Sequence, residues 1–278
     1  MSPVIDAHHH LWRYNAEEFG WIGEPMAALR RDFLPDDLAP ELTAAGVDGT
    51  VVVQARQTLE ETRWLCGIAT QSAMIRGVVG WAPIESHEFS GMIDTLAEME
   101  KLVGLRHVVQ DEPAGFLDGS EFNRGMSLLP NTRLTFDILI HEGQLEEATR
   151  LVDRHPQQAF VLDHAAKPPI ASGELEPWRS QLFELARRPH VLCKISGLVT
   201  EARWDDCNMN ALRPYLDVCV EAFSMSRLMA GSDWPVCVVA KSYSDWWTLL
   251  RQYFVDFSAD EQDAVFGGNA INFYKLKS

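Results

Sequence analysis

Val4-Ile5-Asp6-Ala7-His8-His9-His10-Leu11-Trp12, the stretch VIDAHHHLW at residues 4–12, is a short apolar run that ends in three histidines and a tryptophan. As a strand it sends successive side chains to opposite faces, so His8 and His10 point one way and His9 the other. The triplet is then one HxH pair with a third histidine between, at the end of a strand. Seven further apolar, β-branched runs follow: TVVVQA at 50–55, GVVGWAPI at 77–84, LRHVVQ at 105–110, LTFDILI at 134–140, AFVLDH at 159–164, HVLCKIS at 190–196 and RLMAGSD at 227–233. Their near-continuous hydrophobicity suits strands covered on both faces, as in a parallel sheet wrapped by helices.

Amphipathic stretches separate the runs, and two begin with a capping-box pattern, Thr58-Leu59-Glu60-Glu61 and Ser258-Ala259-Asp260-Glu261. The alternation predicts an α/β fold, a distorted (β/α)8 TIM-type barrel, with an open doubly wound sheet as the alternative. Residues 11–45 are irregular and predict a loop over one end of the barrel, the place for a lid, before a helix. No internal repeat or Gly/Ser/Pro linker divides the 278 residues, so one domain over 1–278 is expected.

The formal net charge of -16 repels phosphate backbones and anionic membranes, which argues against nucleic-acid or membrane partners and leaves neutral small molecules open. A strand at residue 4 leaves no room for a signal core, no run is long enough to span a bilayer, and a cytoplasmic enzyme is the expectation. The five cysteines, Cys66, Cys193, Cys207, Cys219 and Cys237, are odd in number and never spaced as CxxC, which predicts reduced thiols. A homo-oligomer stays open.

Catalytic groups of such barrels sit where strands end. Here the runs end in His8 and His10, Gln54 and Arg56, Arg106 and His107, Asp137 and His141, Asp163 and His164, Lys194 and Ser196, and Ser232-Asp233-Trp234. Burying an unsatisfied neutral polar group costs on the order of 2–7 kcal/mol, so polar groups behind nearly every run point to a site. His9 and His107 read better as structural residues, and His87, His155 and His190 as surface ones. Asp6 and Asp163 each precede a histidine and read as salt-bridged barrel residues rather than catalysts, while Trp12, Trp81 and Trp234 could wall a pocket.

Two imidazoles at i and i+2, a third from a distant strand and a carboxylate suit one zinc or similar divalent ion, with His8, His10, His164 and Asp233 as ligands. Such a site hydrolyses: Asp233, ionised at neutral pH, takes a proton from water, while His164 and Arg106 polarise a carbonyl. Gln54, Arg56, His141, Lys194 and Trp234 are the expected substrate-binding groups. The chain shows no GxSxG elbow, no cysteine beside a convincing histidine, and no Gly-rich phosphate loop after its first strand.

The blocks IDAHHHLW, VVVQARQTLEET, VVGWAPI, LRHVVQDE, VLDHAAKP, CKISGLVTEARW and RLMAGSDWPVC together give a family resemblance. The chain resembles the lactonase branch of the amidohydrolase superfamily, and within it the L-fuconolactonase-like sugar lactone hydrolases, over about residues 4–274. The resemblance implies opening of an aldonolactone to the free sugar acid in sugar catabolism, with His8 and His10 as the strand-one pair, His164 polarising the carbonyl and Asp233 as general base. Binuclear members bridge two metals with a modified lysine on strand four; Arg106 and His107 stand there instead, so at most one zinc is expected, and its need in catalysis is open.

Three alternatives remain. A carboxylated lactone such as a pyrone dicarboxylate or muconolactone would need converging arginines, which are few here. A metal-dependent decarboxylase would use the same HxH, His and Asp frame, and a non-enzymatic sugar-binding barrel would show no turnover to lose in Asp233→Asn. L-fucono-, L-galactono-, L-rhamnono- and D-arabinono-lactones, with 1,4 or 1,5 rings, all stay open.

Overall fold

The computed structural model describes residues 2–277. Eight strands, β1 (Ile5–His9), β2 (Gly49–Val53), β3 (Ile75–Gly80), β4 (Leu102–Val108), β5 (Thr135–Leu139), β6 (Phe160–Leu162), β7 (Val191–Ile195) and β8 (Leu228–Ala230), pair in chain order and in parallel. The ring closes at the C-terminal ends, where His10 N–H donates to the Trp234 carbonyl and Asp233 N–H to the His8 carbonyl. This is the expected (β/α)8 barrel rather than the open sheet. β6 and β8 keep only three residues each, because the backbone of Asp163-His164 and Gly231-Ser232-Asp233 leaves the ladder to enter the loops of the mouth.

Helices cover the outside of the ring, and their starts follow local chemistry. Ser258 and Glu261 form the full reciprocal box, each side chain taking the other's backbone N–H. The Thr58 box is only half made: its hydroxyl accepts from Glu61 N–H, but the Glu61 carboxylate accepts from the amides of Ala55 and Arg56 instead. Glu61 is thus drawn inward to order the β2 loop. In residues 11–45, Trp12 pairs with Phe33 through the backbone, a short turn spans Glu24–Leu29, and a helix runs from Pro35 to Ala45 before Gly46 ends it in the left-handed conformation.

Two apolar layers result. The larger lies between strands and helices; the smaller fills the lower barrel with Ile5, Ala7, Val51, Val53, Val79, Val103, Val161 and Met229. Tyr274 and Leu276 from the C-terminal segment close that floor. Each fully buried side chain of this size stabilises by about 1.5–3 kcal/mol. All five cysteines are buried and unpaired. Among the described residues no helix is long and apolar enough to cross a membrane.

Candidate active site

Simple alternation from Ile5 and Ala7, which face the interior, would turn His8 and His10 outward. The pairing prevents this: Asp6 stands opposite Thr50 but His9 opposite Val52, three residues against two, and the extra residue reverses the facing. His9 then turns to the Thr50 hydroxyl at 3.0 Å, the structural position expected for it. β4 slips in the same way, Val78 facing Leu102 and Val79 facing Gly104, and Arg106 enters the barrel two residues later.

His8 Nε2 and His10 Nε2 stand 3.2 Å apart. Asp233 Oδ1 lies 3.8 Å from the first, 3.3 Å from the second and 4.0 Å from His164 Nε2. His164 comes from an unusual backbone: His164, Ala165, Ala166 and Lys167 all have φ between 49° and 60°. Four consecutive left-handed non-glycine residues cost about 1–2 kcal/mol each, and the turn stands only where its surroundings hold it. One support is the Ser196 hydroxyl, 2.9 Å from His164 Nδ1. Another is Gly197, itself at φ 65°, where a Cβ would stand 2.5 Å from His164 Nδ1 and 3.1 Å from Asp233 Oδ2.

A buried ionic layer lies beneath the histidines. Lys194 Nζ sits 2.5 Å from Asp137 Oδ2, 3.0 Å from Asp163 Oδ1 and 3.3 Å from His8 Nδ1. Arg106 Nη1 donates to Asp163 Oδ2 at 3.0 Å, and Nη2 to the Gln54 carbonyl at 2.5 Å and Gln54 Oε1 at 3.3 Å. Lys194, expected to bind substrate, is wholly buried with its charge matched by two carboxylates, so it supports the site from below. Gln54 is wholly buried too and orients Arg106. Trp234 packs edge-on against Phe33, and Arg56 pairs with Glu18 and Glu61 at the rim. His141 is exposed.

Burial would raise the Asp233 pKa, but His164 beside it, its contact with His10 and the Lys167 charge together hold it below the ordinary value. Burial lowers His164 to about 4 against the pull of Asp233 and Asp163, so it is a neutral imidazole at pH 7. His8 is likewise kept neutral by burial. Asp163 is held well below its usual range: burial opposes this, but Lys194, His8 and Arg106 outweigh it.

Two groups of donors could hold a metal, His8 with His10 and Asp233, or His8 with Asp163 and His164. Ligands at 2.0–2.1 Å in a tetrahedron stand about 3.3 Å apart, close to the spacing of the first group. In the second, Asp163 already carries Lys194 and Arg106, and a divalent ion would be repelled by both. The first group fits one zinc.

Sequence reasoning gave no role to Tyr274, whose hydroxyl donates to Asp137 Oδ2 at 2.8 Å. It lies 137 positions away in the chain, and a tyrosine near the last residue carries no local signal. Tyr243, a donor to Asp6, was equally silent, and Ser232, read only as a polar residue at the end of its run, is the second donor to Asp6. For these two, the polar pair Asp6 and Ser232 on neighbouring strands is the one available hint.

A family model described as amidohydrolase matches residues 5–276. The chain belongs to the amidohydrolase family. This amidohydrolase is 40% identical to the L-fucono-1,5-lactonase of Burkholderia multivorans, over 98% of this chain and 96% of that protein. It is 37% identical to the L-fucono-1,5-lactonase of Burkholderia ambifaria, over 99% and 97%. A crystal structure of an amidohydrolase from Burkholderia multivorans with bound zinc superposes with a TM-score of 0.95 at 40% identity, covering 99% of this chain and all of that one.

Proposed function

We propose that this amidohydrolase hydrolyses a sugar lactone, L-fucono-1,5-lactone or a related aldonolactone, to the free sugar acid. The observation that carries the reading is the full-length 40% likeness to a protein of that activity. The site's geometry supports it. Asp233, an ionised carboxylate among imidazoles at the barrel mouth, is placed to act as general base. It takes a proton from water as the water oxygen bonds to the lactone carbonyl carbon. The ring C–O bond then breaks, and Asp233 returns the proton to the departing ring oxygen.

Neutral His164 faces the same carboxylate and donates to the carbonyl oxygen as negative charge develops there. Arg106, fixed by Asp163 and Gln54, adds positive potential next to His8. His8, His10 and Asp233 would hold a divalent metal such as zinc, which supplies Lewis acidity toward the carbonyl and toward water. Arg56, His141 and Trp234 are the proposed outer contacts of the sugar, and the reaction takes place in the cytoplasm with no macromolecular partner. The arginines favour a neutral substrate over a dicarboxylic one, since Arg56 and Arg106 are already matched by carboxylates.

The test is proton release from a panel of aldono-1,4- and 1,5-lactones, with protein as purified and after chelation, metal content determined. Turnover of one stereochemical group supports the reading. No turnover across the panel, with carbon dioxide released from aromatic acids, overturns it in favour of a decarboxylase.

A further inference from the structure

Beneath the apolar floor, at the N-terminal ends of the strands, lies a cavity of about 620 Å³, a size that takes a small organic molecule. Arg76 enters it from the second position of β3, Lys101 from the residue before β4, Arg133 from two residues before β5, and Lys275 and Lys277 from the C-terminal segment. Glu98 and Glu100 are the carboxylates that line it. Five cations against two carboxylates give a local balance of +3, in a chain whose formal net charge is -16. The overall field repels anions, and this concave surface reverses it locally.

Three of the cations have structural partners. Arg133 donates from Nε, Nη1 and Nη2 to the carbonyls of Ala97, Leu102 and Met99, and so caps the C-terminal end of the helix Phe89–Glu98, where positive charge is favoured. Lys101 Nζ donates to the Ile75 carbonyl at 3.0 Å, and Lys277 pairs with Glu100 at 2.8 Å. No such bond explains Arg76 and Lys275: among the described residues neither makes an ion pair or a side-chain hydrogen bond.

Arg76 is nevertheless held in place. Its Nε is shut off from solvent without a partner among the described residues. A Cβ at position 49 would stand 2.8 Å from Arg76 Cγ and 3.0 Å from Nε, so Gly49 is what leaves room for the side chain. A guanidinium packed in this way with its donors unused is prepared for the paired oxygens of a carboxylate or phosphate.

We propose that this cavity is a binding site for a small organic anion with two or more negative charges, phosphorylated or polycarboxylate, in which Arg76 makes the main contact and Lys275 adds a second charge. Val103 and Leu276 give the ligand an apolar roof. More than one negative charge is needed, because Glu98, Glu100 and the long-range field of the chain all oppose an anion and the local cations must outweigh them. The site stands at the opposite end of the barrel from the histidines and does not depend on the chemistry of the mouth.

Isothermal titration calorimetry of the full chain with tricarballylate and with glycerol 3-phosphate tests this, against sodium chloride at matched ionic strength. Saturable one-site binding with a Kd on the order of 1 mM or tighter is expected for at least one probe. Binding of both assigns the site to charge number, and binding of one alone assigns it to that probe's acid group. Arg76→Gln should weaken binding about 10-fold, because a charge-assisted contact is lost.

Should Arg76→Gln not fold, Lys275→Gln carries the test, since it changes an exposed side chain and should weaken binding about 3-fold. No saturable binding of either probe beyond that of sodium chloride overturns the proposal. Unchanged affinity in a folded variant overturns it as well.

Discussion

At the floor of the barrel, Ile5, Ala7, Val51, Val53 and Val161 close on Tyr274 and Leu276, while at the mouth strands of the same ring end in His8, His10, Arg106, Asp163, His164 and Asp233. The floor is apolar and gains stability from every side chain it buries. The mouth buries charges and holds four consecutive left-handed residues, each at a cost. The ionic layer of Lys194, Asp137, Asp163 and Arg106 joins the two, with Tyr274 bonded to it from below and His8 from above. A barrel can hold such a mouth because its lower half is stabilised independently, and the difference predicts that mutations at the two ends fail in different ways.

The largest effect is expected at the mouth and on rate alone. Asp233→Asn should lower kcat by about 1,000-fold while urea unfolding shifts little; a comparable loss of stability would mean that the two ends are not separable. At the floor, Tyr274→Ala should destabilise by about 3–4 kcal/mol in urea titration, from the cavity and the hydrogen bond lost to Asp137. Its KM should change far less than its midpoint.

Gly197→Ala sharpens the comparison, because its Cβ would press on His164 Nδ1 in a left-handed backbone. About 10-fold in kcat/KM and about 1–2 kcal/mol of stability should be lost together. The pH dependence of kcat/KM belongs to the mouth as well: with His164 lowered to about 4 and Asp233 held below the usual carboxylate value, the rate should stay level from about pH 8 to 6 and fall near pH 4. An acid limb near 6.5 would show His164 to be an ordinary solvated imidazole.

The smallest effect concerns Glu61, which burial raises from 4.5 to about 7. A carboxyl raised in the folded state contributes stability that is complete below its unfolded value and lost as pH rises through the folded one. Stability should therefore decline between about pH 4.5 and 7, and Glu61→Gln should flatten that slope. An unchanged slope in urea titrations at several pH values would assign it to Asp6 or Asp137, both raised to about 6.

The sequence by itself determined a parallel α/β fold, with the barrel as its expected form, and the identity of the residues at the strand ends. Eight apolar runs of strand length, separated by helical periods, need a parallel sheet covered on both faces, and polar groups at the C-terminal ends of such runs have nowhere to go except a site. HxH, Asp163-His164 and Ser232-Asp233 were legible for that reason. Which of those groups faces upward was not.

Lys194 reads as a strand-end cation available to a ligand, and only the packing of β5, β6 and the C-terminal segment around it turns it into a buried support. The inward turn of His8, His10 and Arg106 depends on one-residue slips between neighbouring strands, and Tyr274 reaches Asp137 across 137 residues. Periodicity along one strand carries no information about its register against the next. That register, and the charges it brings within 4 Å, were decided by the closing of the ring.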